Sequence, residues 1–221
     1  MNITRRKVII LASGGLDSST VAGIARSSEA EIYGLSFDYG QRHNKELQAA
    51  KKIAKHFKFK DLKIVNIDLS LWGGSSLTDK KKLIPIDGIN KNIIPNTYVP
   101  GRNTIFISVA LSYAEAINAD FIGLGVNALD YSGYPDCRPD YIEQFQKLAS
   151  LSNKRGRENK PIILWTPLLN LNKEEIIEMA FVHNVPIEAT WSCYEGGRKP
   201  CKKCDSCRIR IKAYENWLSK R

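Results

Sequence analysis

At 221 residues, 43% hydrophobic and 25% charged, the chain has the composition of a globular protein able to bury a substantial core, one domain or one with an appendage. No apolar run reaches bilayer length, and Met-Asn-Ile-Thr-Arg-Arg-Lys leads into a strand pattern without a leader's long apolar region, so a cytoplasmic location and no membrane partner are expected. The formal charge of +10 is concentrated: residues 198–221 carry nine Lys/Arg against Asp205 and Glu215, which fits nucleic acid, small anionic substrates or a solvated face around a metal.

Strand and helix patterns alternate along the chain, which predicts an α/β fold with a parallel sheet flanked by helices. The β-branched run KVIILA (7–12) reads as a strand buried on both faces, followed by a helix starting near Asp17. EIYGLSFD (31–38) is the second strand, 44–57 the second helix and LKIVNI (62–67) the third strand. Residues 73–97, rich in Gly, Ser and Pro with a lysine triplet, predict a long mobile loop. A buried helix over 104–117, a strand over 120–126 and a helix over 139–151 follow. IILWTP supplies a short strand, and 172–183 a helix with Asn172 as N-cap and Glu174 and Glu175 in the first turn. The last helix spans about 205–220.

Between the first strand and its helix lies SGGLDSS (13–19). Strand, glycine-rich turn, helix is the setting in which main-chain N–H groups and a helix N-terminus receive phosphate, with the Ser13, Ser18 and Ser19 hydroxyls as further donors. The chain has neither GxxxxGK[ST] nor GxGxxG here, so the nucleoside-triphosphate and dinucleotide loops of those patterns are excluded.

Four of the five cysteines, Cys193, Cys201, Cys204 and Cys207, fall within fifteen residues as two overlapping CxxC pairs after a first cysteine. That spacing predicts one structural four-thiolate zinc site per chain, favoured over an iron–sulfur cluster because neither a fifth nearby cysteine nor a redox motif accompanies it. Its task is to pin residues 191–221, a zinc-binding loop and C-terminal helix, onto a main domain of 1–190. Cys137 stands apart and reads as a small buried hydrophobe.

The SGGLDS turn resembles the signature of the pyrophosphatase-loop (PP-loop) superfamily, the N-type ATP pyrophosphatases, and implies the adenine nucleotide alpha hydrolase-like fold. In that superfamily the loop grips the β- and γ-phosphates of ATP and leaves the α-phosphorus open to a substrate oxygen. The resemblance implies that Ala12, Ser13, Gly14, Gly15, Leu16, Asp17, Ser18, Ser19 and Thr20 hold ATP. Asp17 becomes a Mg2+ ligand, because a carboxylate facing polyanionic phosphates needs a cation between them. FDYGQRH (37–43), VPGRN (99–103), GVNALDYSGYPDCRPDY (125–141), TPLLNLNKEEI (166–176) and the cysteine segment, in this order, resemble the 7-cyano-7-deazaguanine synthase family of queuosine biosynthesis.

That resemblance implies ATP-dependent conversion of 7-carboxy-7-deazaguanine and ammonia into a nitrile, through adenylated carboxylate and amide intermediates, by a homodimer with no obligatory nucleic acid partner. Lys173 is expected to stabilise charge on the phosphates, and Arg102 and Asn103 to meet a phosphate or the substrate carboxylate. Asp130, Tyr131, Tyr134, Asp136 and Arg138 sit in a loop after a strand end, where an aromatic face and a carboxylate could receive the deazaguanine. His43 is either a proton relay or a hydrogen-bonded structural residue. In the C-G-x-C pattern of the family Lys202 replaces glycine, so a left-handed backbone there would be strained by about 1 kcal/mol. Two other readings remain: a tRNA-modifying PP-loop enzyme, favoured if deleting the basic tail abolished tRNA binding alone, and a non-enzymatic zinc module binding nucleic acid, which leaves the SGGLDSS turn without a purpose.

Overall fold

A computed structural model describes residues 2–86, 93–130 and 133–221; Tyr131 lies outside these segments. Five parallel strands, β1 (Lys7–Leu11), β2 (Glu31–Asp38), β3 (Asp61–Asn66), β4 (Phe121–Gly123) and β5 (Ile163–Trp165), form one sheet in the order β3-β2-β1-β4-β5. The helices are α1 (Leu16–Ser27), α2 (Lys45–His56), α3 (Arg102–Ala116), α4 (Pro139–Ser152), the single turn α5 (Lys154–Arg157), α6 (Lys173–Val182) and α7 (Asp205–Ser219). Register is set by direct pairs such as Ile9 with Tyr33 on one side of β1 and Ile9 with Ile122 on the other.

Alternation along β1 decides the layering. Val8 and Ile10 enter the apolar cluster that holds Val21 of α1, Ile53 of α2, Ile176 of α6 and Trp217 of α7. Ile9 enters the opposite cluster with Ile107 of α3 and Phe145 of α4. Both faces of β1 are therefore covered, and its three central side chains are fully buried. Burying each contributes about 2–3 kcal/mol of apolar transfer. Because Ala213 and Trp217 share the main cluster, α7 extends the body of the fold.

Some boundaries differ from the sequence pattern for local reasons. α3 begins at Arg102, two residues before its apolar run: Gly101 turns the chain left-handed at φ 63, and the Asp136 carboxylate accepts the Asn103 N–H at 2.9 Å. β4 pairs with β1 only over Phe121–Gly123, so the expected 120–126 strand is shorter. α6 starts where Asn172 predicts, in a capping box with Glu175.

The expected mobile loop at 73–97 is largely packed in its described parts. Ser75, Ser76, Leu77 and Thr97 are buried, and the Arg42 guanidinium donates to the carbonyls of Ser76 at 2.6 Å, Asp79 at 3.1 Å and Lys82. Satisfying backbone carbonyls with one planar cation substitutes for a secondary-structure ladder. Residues 87–92 of that stretch fall outside the described segments.

Strand order reverses between β1 and β4. Connections after β1 lead toward β2 and β3, whereas β4 and β5 lie on its other side, so their carboxyl ends splay apart and leave a crevice.

Candidate active site at the switch point of the sheet

The crevice is a cleft with two lobes. A larger lobe of about 290 Å³ is lined by residues of the β1–α1 turn, the end of β4, α3, Tyr134 and the segment 191–194. A smaller one of about 150 Å³ is lined by Asp17, Asp130, Lys173, Ser206 and Arg210 among others. Asp17, Asp130, Tyr134 and Tyr194 border both.

The β1–α1 turn is shaped by close approach. Gly14 has φ +77, and a Cβ there would sit 2.5 Å from the backbone N of Ala50 in α2. Gly125, just beyond β4, lets that strand end close on the N-terminus of α1: a Cβ would lie 3.0 Å from Ser18 N. Gly15 caps α1 without a side-chain hydrogen bond, and the first intrahelical bond of the turn is Ser19 N to Gly15 O. The helix thus presents early N–H groups and its positive dipole end toward the larger lobe, a ready anion site.

Of the nine residues expected to hold nucleotide, Ala12, Ser13, Gly15, Leu16, Asp17 and Ser18 line the larger lobe. Gly14, Ser19 and Thr20 line neither lobe. Gly14 is taken up by contact with α2 and by accepting the Trp191 N–H, while the Ser19 and Thr20 hydroxyls donate back to Gly15 O at 2.7 Å and Leu16 O at 2.9 Å. Such back-bonding to the preceding helical turn occupies the hydroxyl proton. The Ser13 and Ser18 hydroxyls face each other at 3.0 Å.

Asp17 is the centre of a charged cluster. Its Oδ2 accepts from Lys173 Nζ at 2.6 Å, and Asn127 Nδ2 lies 3.4 Å from the same oxygen and 2.6 Å from Asp130 Oδ2. Asn127 is fully buried and its own Oδ1 accepts from the backbone of Leu129 and Asp130, which fixes the amide between the carboxylates. Burial, with Asp17 nearby, pushes Asp130 up to about 6, against the opposing pull of Lys173. For Lys173 burial opposes the charge, but Asp17 and Asp130 raise its pKa. Two carboxylates therefore face one ammonium. Asp17 Oδ1 is buried without a hydrogen-bond partner among the described residues. An orphaned carboxylate oxygen beside a second carboxylate fits a hard divalent cation such as Mg2+, which takes oxygen ligands.

Arg102 lies across the larger lobe. Its guanidinium reaches the Tyr39 hydroxyl at 3.5 Å and sits 5.7 Å from the ring centre. Burial works against that charge, but Tyr39, Cys137, Tyr134 and Glu46 together raise its pKa. Asn103 lines the same lobe and donates to Cys137 Sγ at 3.0 Å; Cys137 is buried, and burial pushes its thiol up, consistent with an inert hydrophobe. Tyr134 also lines it and shares a 2.8 Å hydroxyl contact with Thr97. Two expected substrate residues are elsewhere: the Asp136 carboxylate caps α3, and Arg138 is exposed and paired with Asp140 at 3.4 Å. Neither lines the cleft. Asn127, Glu46, Phe106 and Tyr194 were not singled out from the sequence; Arg210, one of the cations around the cysteine cluster that could either offset its charge or meet substrate, lines the smaller lobe.

His43 is held at both nitrogens. Lys45 N–H donates to Nδ1 at 3.3 Å, so Nε2 carries the proton and donates to Cys193 O at 3.0 Å. This is the structural alternative, and burial lowers its pKa.

The four clustered cysteines converge. One Sγ from each of Cys193, Cys201, Cys204 and Cys207 lies within 4.8 Å of the others, and three of these residues are buried. Backbone N–H groups of Cys201, Lys203 and Cys204 point at sulfur at 3.3–3.4 Å, a second shell suited to thiolates. The set fits a closed tetrahedral zinc site. Lys202 adopts φ 62, so the left-handed turn expected there is present and carries a lysine. Ser192 and Tyr194, on either side of Cys193, and Ser206, between Cys204 and Cys207, line the cleft, so the cysteine cluster positions part of its wall.

The basic tail is partly engaged within the fold. Arg210 donates to Ser192 Oγ at 3.2 Å and Ile187 O at 2.7 Å, Arg208 to Ile86 O, Lys220 pairs with Glu174, and Arg221 pairs with Glu178 at 2.5 Å. Among the described residues no helix is long and apolar enough to cross a membrane.

The family model for "Queuosine biosynthesis protein QueC" matches residues 7–218. A protein named 7-cyano-7-deazaguanine synthase from Prochlorococcus marinus (strain MIT 9301) is 73% identical over 219 residues, covering 99% of this chain and 98% of its own length. Its namesake from Prochlorococcus marinus (strain NATL1A) is 60% identical over 205 residues, covering 93% of this chain and 91% of its own. Among solved structures, NMN synthetase from Francisella tularensis shares the fold with a TM-score of 0.53 at 15% identity, covering 99% of this chain and 78% of that one. With nearly its whole length matched by that family model and by close relatives, the chain belongs to the queuosine biosynthesis protein QueC family.

Proposed function

We propose that the chain converts 7-carboxy-7-deazaguanine and ammonia to 7-cyano-7-deazaguanine with ATP, as the names of its close relatives suggest. The observation that carries this reading is the uncapped N-terminus of α1 beside the Asp17–Lys173–Asp130 cluster, with one buried Asp17 oxygen left without a partner. The backbone of Ala12–Ser18 holds the outer phosphates of ATP, and Lys173, already charged by its two acidic neighbours, neutralises developing negative charge as pyrophosphate leaves. Asp17, with Asp130, would hold Mg2+, which supplies charge neutralisation between carboxylate and phosphate.

A carboxylate is a poor electrophile, so its oxygen attacks the α-phosphorus and becomes an acyl adenylate. Ammonia then displaces AMP to give the amide. A second adenylation, on the amide oxygen, allows AMP to leave as the nitrile forms. Asn103, Tyr134 and Arg102 orient the substrate in the larger lobe while the 191–194 segment, with Tyr194, excludes water from the adenylates. The cysteine cluster would hold zinc as a strut for that segment. Residues 1–190 act as the ATP-using body and 191–221 as the zinc segment, in a cytoplasmic homodimer.

The test is direct: purified protein with Mg2+, ATP, ammonia and 7-carboxy-7-deazaguanine, followed by mass spectrometry. Nitrile should form with AMP and pyrophosphate. Turnover of a different carboxylate and none of this one would remove the substrate assignment; ADP and phosphate as products would remove the mechanism.

A further inference from the structure

The larger lobe is lined by a third acid, outside the Asp17–Asp130 cluster. Glu46, in the first turn of α2, lines the lobe together with Tyr39 and Arg102. Burial pushes its carboxyl up to about 7, and the opposing effect of Arg102 is long-range charge attraction without a hydrogen bond. Arg102 in turn has one long contact, to the Tyr39 hydroxyl. Opposite charges thus share a cavity without pairing. Glu46 is half-buried and its carboxylate has no hydrogen-bond partner among the described residues, so it is open to donors from a molecule in the lobe.

Beside these charges stands an aromatic wall. The Phe37 and Phe106 rings are stacked 3.8 Å apart at 4°, and Tyr39 meets Phe106 edge-on at 5.6 Å. Phe106 lines the lobe, so a planar ring has a flat apolar surface to lie against. An aromatic wall, an unpaired carboxylate and a guanidinium together select a flat heteroaromatic molecule that carries adjacent N–H donors and an acid group.

We infer that Glu46 is a specificity-determining residue, whose carboxylate accepts the ring N–H and exocyclic amino protons of a guanine-like edge while Arg102 faces the acid group of the same molecule. The assignment rests on the substrate proposed above. Two parallel charge-assisted hydrogen bonds to one carboxylate give both affinity and discrimination against rings lacking the amino group, because a lost donor leaves the buried oxygen unpaired.

The experiment compares 7-carboxy-7-deazaguanine with its 2-desamino analogue in the wild-type enzyme and in Glu46→Gln, with Mg2+ and ATP saturating. Wild type should favour the amino compound at least tenfold in kcat/KM. Glu46→Gln should raise KM for the amino compound at least tenfold, leave KM for ATP within about threefold, and shrink the discrimination to threefold or less. Wild-type discrimination below threefold overturns the inference whether or not the variant folds, as does a variant that keeps the full wild-type preference. If wild type turns over neither compound, the proposed function fails first, and the two failures are told apart by the wild-type reaction alone.

Discussion

Replacing Lys173 by methionine removes the only ammonium hydrogen-bonded to Asp17 among the described residues while preserving most of the side-chain volume. The pair is largely shielded, with 18% and 26% of the two side chains exposed. Breaking a buried pair by deleting one partner costs about 3–5 kcal/mol, and partial exposure argues for the lower end. At about 2–4 °C per kcal/mol for a chain of this size, the melting temperature at pH 8 should fall by roughly 6–12 °C. The loss should depend on pH with a definite sign. Asp130 is raised to about 6 from its ordinary 3.8, by burial first and then by Asp17. An acid raised on folding contributes stability below its unfolded pKa and loses it as pH rises through the folded one. At pH 5.5 Asp130 is mostly protonated and Asp17 has no ionised neighbour to repel, so the deficit should shrink by about 1–2 kcal/mol, each pKa unit being worth about 1.4 kcal/mol. Calorimetry at both pH values, without nucleotide or Mg2+, is the assay. The exposed lysine of the Glu143–Lys147 pair, replaced by methionine, is the control and should change stability by less than about 1 kcal/mol. A Lys173→Met protein melting within 2 °C of wild type at pH 8, or losing equally at both pH values, would refute the account of the cluster.

Asp17→Ala should abolish nitrile formation with zinc content unchanged by elemental analysis, since the cysteine cluster draws no ligand from α1. Cys201→Ser should lose metal and activity together, because Ser192, Tyr194 and Ser206 reach the cleft from the segment those cysteines tie down; full turnover by metal-free protein would show the cluster to be dispensable. Lys202→Gly relieves a left-handed lysine at φ 62 and should raise the melting temperature by roughly 1–4 °C, with slower zinc loss to a chelator.

What the sequence made legible was whatever is encoded locally. The apolar runs of β1 and β2, the Asn172 cap and the cysteine spacing each carry their own physical signature within a few residues, and the structure realises all of them. The start of α3 was not legible, because the carboxylate that caps it comes from Asp136, thirty-three residues later. The packing of 73–86 was hidden for the same reason: composition shows glycine and serine, but the Arg42 guanidinium that gathers its carbonyls comes from beyond β2. Glu46 sits in an ordinary amphipathic helix, where an acidic first-turn residue reads as a dipole partner and nothing local says that it faces the cleft. Asn127 had a faint signal, an Asn three residues before an Asp after a strand, but its reach to Asp17 depends on β4 lying next to β1.

That adjacency also explains why the chemistry sits where it does. Because β1 and β4 are neighbours whose connections leave in opposite directions, the α1 N-terminus, Asn127 and Asp130 meet without any of them being carried on a long loop. Lys173 arrives from the first turn of α6, which packs on α1 through Ile176 and Ile177. The phosphate side of the cleft is thus built from the rigid sheet. The opposite side depends on the 191–194 segment, tied to the turn by Trp191 N to Gly14 O at 2.9 Å and to the chain just before α2 by His43 through Cys193 O. A metal on the four sulfurs would stiffen that second wall and leave the first unaffected. Zinc loss should therefore weaken retention of the carboxylic acid substrate more than it weakens ATP binding, and equal losses for both ligands would mean that the two walls do not act independently.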